Sequence, residues 1–156
     1  MKNLLFLASI SILFVLVLAS CKTNKISSQG IKGKVFWIEG NQMPQASNDT
    51  SQFKPLSARS PIKRTIHVHE LTHINEAALG DYLFGTIETP LVATVETNDE
   101  GEFNVKLPVG KYSLFTVEPN GYFASIFDLD SYIHPIMVEE NKWSKVEIII
   151  DYKASY

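Results

Sequence analysis

TNDEGEFNVKLPVGKYSLFTV, residues 97–117, is the stretch of this 156-residue chain that decides the fold, because its pattern predicts two successive strands. A turn cluster ends at Gly101, which is free to adopt a positive φ. The apolar residues that follow alternate with polar ones, as in a half-buried antiparallel strand: Phe103, Val105 and Leu107. A second turn at 108–110 reverses the chain, and 111–117 returns. The simplest expectation is a β-hairpin.

Further β-rich runs flank this stretch on both sides. They contain many β-branched and aromatic residues and are separated by turn-forming residues. These runs are 31–38, 64–71, 86–97, 121–127 and 145–150. Short strands between regular turns predict an all-β fold, a Greek-key β-sandwich of about seven strands.

The segment 40–62 differs in composition from its surroundings. It contains three prolines and many Ser, Asn and Gln residues, which predicts a long exposed loop. Long loops in small domains often carry function. This loop is therefore the first candidate for a recognition element.

The N-terminus has the features of an export signal. A basic start, 1–3, precedes the apolar run 4–19, and polar residues follow too soon for a long membrane span. Leu18-Ala19-Ser20-Cys21 resembles the bacterial lipobox, in which the cysteine is acylated and becomes the new N-terminus. Cys21 is the only cysteine, which excludes an internal disulfide. The alternatives are an uncleaved anchor or a chance cysteine beside an ordinary cleavage site.

These features divide the chain into three parts. Residues 1–20 are a lipoprotein signal peptide, expected to be helical, and 21–29 are the lipidated Cys21 with a polar tether. Residues 30–156 are the β-sandwich domain. Acyl chains such as palmitate on Cys21 would hold the protein in the membrane. We expect a cell-envelope location, at the outer membrane and facing the periplasm.

The net charge of the chain limits the classes of partner that we expect it to bind. Fourteen Lys and Arg residues against 17 Asp and Glu residues give a net charge of −3. This balance disfavours nucleic acid and provides no basic patch for anionic lipid. We expect an envelope protein or glycan as partner. Four aromatic residues are candidates for a binding platform, although such residues are more often part of the core: Trp37, Tyr122, Phe123 and Trp143.

HELTH, residues 69–73, matches the HExxH motif of zinc peptidases. That chemistry needs both histidines on one face of a helix and a third protein ligand. The preceding residues instead alternate as in a strand, where His69 and His73 would lie about 13 Å apart. A short helix over 70–79 would begin too late to include His69. We therefore predict that the motif is coincidental, and we assign no catalytic residue.

A simpler metal site also fits the pattern. On a strand, His67 and His69 share one face and could hold a zinc or copper ion, although such residues are more often solvent-facing. His134 has no visible companion. Asp128 and Asp130 predict a solvated turn rather than a calcium site. We assign no metal ligand and no cofactor.

The spacing T-x-x-[DE]-G-x-F-x-V-x-L-P-x-G-x-Y-S-L in 97–115 resembles the carboxypeptidase regulatory-like domain, an Ig-like sandwich of transthyretin type. Gly33-Lys-Val35, followed by Pro44, resembles its first strand. The segments 121–128 and 146–154 are similar to small Bacteroidetes-type lipoproteins. The resemblance implies a non-catalytic module that accompanies peptidases, sits on outer-membrane receptors or stands alone on a lipid anchor.

The sequence thus predicts a non-catalytic, lipid-anchored envelope lipoprotein that binds or scaffolds a partner and is not an enzyme. Two alternatives remain open. One is a zinc metallopeptidase that uses His69, Glu70 and His73. The other is a periplasmic metal-binding protein that uses His67 and His69.

Overall fold

The computed structural model describes residues 28–43 and 59–156. This part of the chain contains one short 3-10 turn, Ile74–Glu76, and eleven strands: β1 (Gly30–Asn41), β2 (Ser60–Pro61), β3 (Thr65–Glu70), β4 (Ala77–Leu79), β5 (Phe84–Ile87), β6 (Leu91–Glu96), β7 (Glu102–Lys106), β8 (Gly110–Glu118), β9 (Gly121–Phe123), β10 (Pro135–Val138) and β11 (Trp143–Ser155). The predicted signal helix, Cys21 and most of the 40–62 loop lie outside it. None of the helical segments described is long and apolar enough to cross a membrane.

The strands form two sheets. In the smaller one, β1 pairs in parallel with β11 on one side and antiparallel with β2 and β7 on the other. The larger one has the order β4-β5-β9-β8-β3-β6, and β10 pairs with the other half of β8 beside β9. One core cluster contains residues of both sheets, so the sheets pack face to face. The predicted all-β sandwich is confirmed.

The described part of the chain has more strands than the seven or so that its pattern predicts. Five of the eleven are four residues long or shorter: β2, β4, β5, β9 and β10. Such short segments are too brief to show a period of two in the sequence. They form because neighbouring strands offer them hydrogen-bonding partners.

The stretch 97–117 does form two strands, but the hairpin expected of them is wrong. β7 pairs with β1 in the smaller sheet, whereas β8 lies in the larger sheet between β3 and the pair β9 and β10. The turn at 108–110 therefore carries the chain from one sheet to the other. Gly101 has the positive φ that the turn pattern predicts, 75°, and its carbonyl accepts a hydrogen bond from the Val35 N–H at 2.9 Å.

β8 is buried on both faces, which explains why its sequence is more apolar than that of a half-buried strand. Tyr112 and Leu114 belong to the main core between the sheets. Phe115 belongs to a second cluster with Phe84 and Ile133. Because successive side chains of a strand point to opposite faces, this second cluster lies on the outer face of the larger sheet. That face carries the histidines singled out in the sequence.

Candidate functional site

The HELTH motif spans the end of a strand and a turn. His69 lies in β3, as the alternating pattern predicts, and His73 is the N-terminal cap of the 3-10 turn. The His73 Nδ1 accepts a hydrogen bond from the Asn75 N–H at 3.2 Å, and the Glu76 carboxylate accepts one from the His73 N–H at 2.8 Å. The alternative of a helix over 70–79 is wrong. The two histidines of the motif therefore do not share a helical face.

His67 and His69 do share a face, as the strand pattern predicts. Their neighbours Ile66 and Val68 are fully buried in the main core, so the two histidines lie on the outer face of the larger sheet. The centroids of their rings are 6.0 Å apart. Burial, and secondly the nearby His69, lower the pKa of His67 from its usual value. Both effects favour a neutral imidazole at position 67.

The ring of His69 is held in one tautomer. Its Nδ1 lies 2.8 Å from the carbonyl oxygen of Thr89. A carbonyl only accepts, so Nδ1 carries the hydrogen in this bond and Nε2 of the neutral ring has a free lone pair. Nε2 is buried and has no hydrogen-bond partner among the described residues, and His69 as a whole is 5% exposed.

Aromatic rings surround the histidine pair. Tyr122 lies 5.4 Å from His67 and 6.5 Å from His69, measured between ring centroids, and Phe115 lies 5.5 Å from His69. Tyr122 is partly buried in this cluster and is not part of an open platform. In residues 28–43 and 59–156, no group of three or more His, Cys, Asp or Glu side chains converges on one point.

The other candidate residues lie apart from the pair. Phe123 is buried in the main core, and Trp37 packs edge-on against Tyr152, which confirms for both the core interpretation of the aromatics. Trp143 is partly buried at the start of β11. Asp128 shapes a turn, because its Oδ1 accepts hydrogen bonds from the N–H groups of residues 130 and 132 at 3.0 and 2.9 Å.

A buried carboxylate that the sequence analysis missed links the two sheets. The side chain of Glu118, in β8, is fully buried and accepts hydrogen bonds from Arg64 at 3.1 and 3.3 Å and from Thr116 at 3.1 Å. It also accepts one from Tyr152 of the opposite sheet at 3.0 Å. Burial, the bond to Glu118 and its charge raise the pKa of Tyr152, while Arg64 opposes them. Local sequence does not distinguish Glu118 from the exposed acidic residues.

Arg64 lies on the solvent side of this network. Its guanidinium lies 5.4 Å from the centroid of the Trp37 ring, a cation–π distance. Arg64 and Glu118 also line an open depression at this end of the sandwich, together with Lys63, Thr65, Glu96, Val117 and Pro119. The network is fully partnered, so we interpret it as a structural clasp between the sheets.

Replacing Arg64 with Met should destabilise the protein by about 3 kcal/mol, because it leaves a buried carboxylate without its cation. Arg59→Met is the matched control, since the Arg59–Glu147 pair is about half exposed on both sides and should contribute less than about 1 kcal/mol. Urea unfolding of both variants measures the difference. Equal losses in the two variants would show that Glu118 does not depend on Arg64.

His134 is the second buried histidine whose Nε2 has no partner among the described residues. Burial lowers its pKa to about 4 from 6.5. Between these two values the unfolded chain binds a proton that the folded chain does not. In the folded state the ring stays neutral down to a pH of about 4. The folded state therefore loses stability as the pH falls through this window.

This pKa predicts that His134 accounts for about 3 kcal/mol of the stability lost between pH 7 and pH 4. His134→Asn removes the titration and suits the backbone at this position, where φ is 38°. Stability against pH should fall less steeply in the variant than in the wild type. His67 and the carboxylates titrate in both proteins, so parallel curves would contradict the low pKa of His134.

Five of the exposed large apolar side chains lie on two segments, 79–82 and 126–129. We call them the apolar patch: Leu79, Tyr82, Ile126, Phe127 and Leu129. Leu79 is the β-sheet partner of Phe84, whose ring lies 6.4 Å from that of Phe127 between centroids. Leu129 is 104% exposed, so its side chain projects completely into solvent. Asp81, Asp128 and Asp130, which are also exposed, lie within the same two segments or directly after them.

Comparisons of this chain with protein-family models, with curated proteins and with solved structures found no significant match. The resemblance of 97–115 to the carboxypeptidase regulatory-like domain therefore depends on the residues quoted for it, and it stays a prediction.

Proposed function

We propose that this protein is a lipid-anchored, non-catalytic binding module of the cell envelope, of the carboxypeptidase regulatory-like type. The lipobox-like residues before Cys21 support the anchor, and the resemblance of 97–115 supports the module type. The observation that carries the binding function is the apolar patch. A contiguous exposed apolar patch on a small domain commonly marks an interaction site.

The loop that presents Leu129 is ordered by hydrogen bonds within the loop and to the segment 72–74. Asp128 caps the turn around Leu129, and the N–H of Ile74 bonds to the carbonyl of Ser131 at 3.0 Å. A further backbone bond, from the Ile133 N–H to the Thr72 carbonyl at 2.9 Å, ties the end of the loop to the motif segment. A surface ordered in advance loses little conformational entropy on binding. The patch is therefore suited to a specific contact.

The charges around the patch indicate the chemistry of its partner. Asp81, Asp128 and Asp130 give it an acidic rim, and carboxylates disfavour insertion into a bilayer. A protein surface with an apolar centre and a basic rim would match both features. A tether over 22–29 spans at most about 30 Å when fully extended. The partner would then lie close to the same membrane.

The binding function predicts contact at position 129 in the cell. A photoreactive amino acid in place of Leu129 should form a discrete protein adduct on irradiation, because this side chain is the most exposed of the patch. The same amino acid in place of Lys145, an exposed residue of the opposite sheet, is the control. Adducts of equal yield at both positions, or membrane lipid as the sole product at 129, would contradict a protein partner at the patch.

The lipid anchor predicts that Cys21→Ser abolishes acylation. Metabolic labelling with a palmitate analogue should mark the wild type and not the variant. The unprocessed variant should also run more slowly in electrophoresis, because cleavage before an acylated cysteine depends on that cysteine. Ser20→Ala is the control, since a small residue remains at that position. Label on Cys21→Ser would contradict lipid attachment at residue 21.

A further inference from the structure

We propose that His67 and His69 form a binding site for a late first-row divalent metal ion, with Cu²⁺ as the favoured ion. The site is independent of the apolar patch and of the lipid anchor, so it goes beyond the proposed binding function. Imidazole nitrogen suits copper and zinc, and affinity along the first row is highest for Cu²⁺. Three features of the described residues support the proposal.

The first feature is the free lone pair of His69. Its Nδ1–H donates to the carbonyl of Thr89 at 2.8 Å, which leaves Nε2 as the unprotonated nitrogen. Metal-bound histidines commonly show this arrangement, in which the other ring N–H bonds to a backbone carbonyl and fixes the tautomer. Nε2 has no partner among the described residues although it is buried. A buried acceptor without a partner costs free energy, and a metal ion would remove that cost.

The second feature is the support of the Thr89 carbonyl. The N–H of Glu70 bonds to the carbonyl of Pro90 at 3.0 Å, which ties this loop to β3. The hydroxyl of Thr72 donates to the Glu70 carbonyl at 2.8 Å and lies 2.6 Å from the hydroxyl of Thr89. The segment that orients His69 is thus held at several points. An orienting partner of this kind keeps the imidazole in position before any ion arrives.

The third feature is the spacing of the two rings. With metal–nitrogen bonds of about 2.0 Å, two imidazoles on one ion have ring centroids about 4.5 Å apart at a bond angle of 90° and about 6.3 Å apart at 180°. The observed separation of His67 and His69 is 6.0 Å. Small rotations of the His67 side chain, which is only partly buried, would adjust the angle at the ion.

The number of protein ligands limits the affinity of the site. No third His, Cys, Asp or Glu converges on the pair within the described residues, so the chain supplies two nitrogens and water completes the coordination. Two protein ligands predict modest affinity. A site with open positions also permits exchange of the ion or of its water ligands.

The test is a Cu²⁺ titration of the full-length protein in detergent. Calorimetry and electron paramagnetic resonance detect the binding. We expect one ion per chain, with hyperfine coupling to two nitrogens. His67→Gln should weaken binding at least tenfold and leave coupling to one nitrogen. His69→Gln should abolish binding at the same copper concentration. His73→Gln, four residues along the chain from His69, should bind as the wild type does.

Several outcomes would overturn the proposal. These are the absence of stoichiometric copper, retention of wild-type affinity in both His67→Gln and His69→Gln, and an equal loss in His73→Gln. Because His69 is buried, its variant could also unfold, which circular dichroism would reveal. In that case the partly exposed His67→Gln decides alone, through its affinity and its nitrogen coupling. Loss of copper binding in these variants without loss of the Leu129 adduct would separate this site from the proposed binding function.

Discussion

The burial of β8 on both of its faces is the constraint on which the rest of the structure depends. One face, with Leu114, closes the core between the sheets, and the other, with Phe115, anchors a second cluster outside the larger sheet. β8 also pairs with β3, β9 and β10. A strand buried on two sides needs cover on two sides. Side chains of β4, β5 and β9 and of the loop over 124–134 provide the outer cover.

That outer cover brings the candidate functional groups to the same face of the molecule. Phe115 contacts the ring of His69 on one side and that of Phe84 on the other, with centroids 5.5 and 5.9 Å apart. Phe84 in turn contacts Phe127 of the apolar patch. The histidine pair and the patch are thus connected through one row of aromatic rings.

The clasp around Glu118 has a different role at one end of the sandwich. It joins β8 to Tyr152 of the smaller sheet. Three side-chain donors take the place of water around the buried carboxylate of Glu118. A buried carboxylate with a full set of donors specifies one relative position of the sheets. Sequence patterns could not reveal it, because Arg64 and Tyr152 lie far from Glu118 along the chain. Only the packing of the two sheets makes them neighbours.

The sequence by itself determined the strands that are long enough to show a period of two. β3 is the clearest case, since alternation placed His67 and His69 on one face and argued against a helix through His73. What it did not determine was which strands pair, and 97–117 shows why. Alternation reports which side of a strand is buried, but not which sheet buries it. Pairing of β7 with β1, the free nitrogen of His69 and the position of the patch all depend on contacts between distant segments, and the tertiary structure decided them.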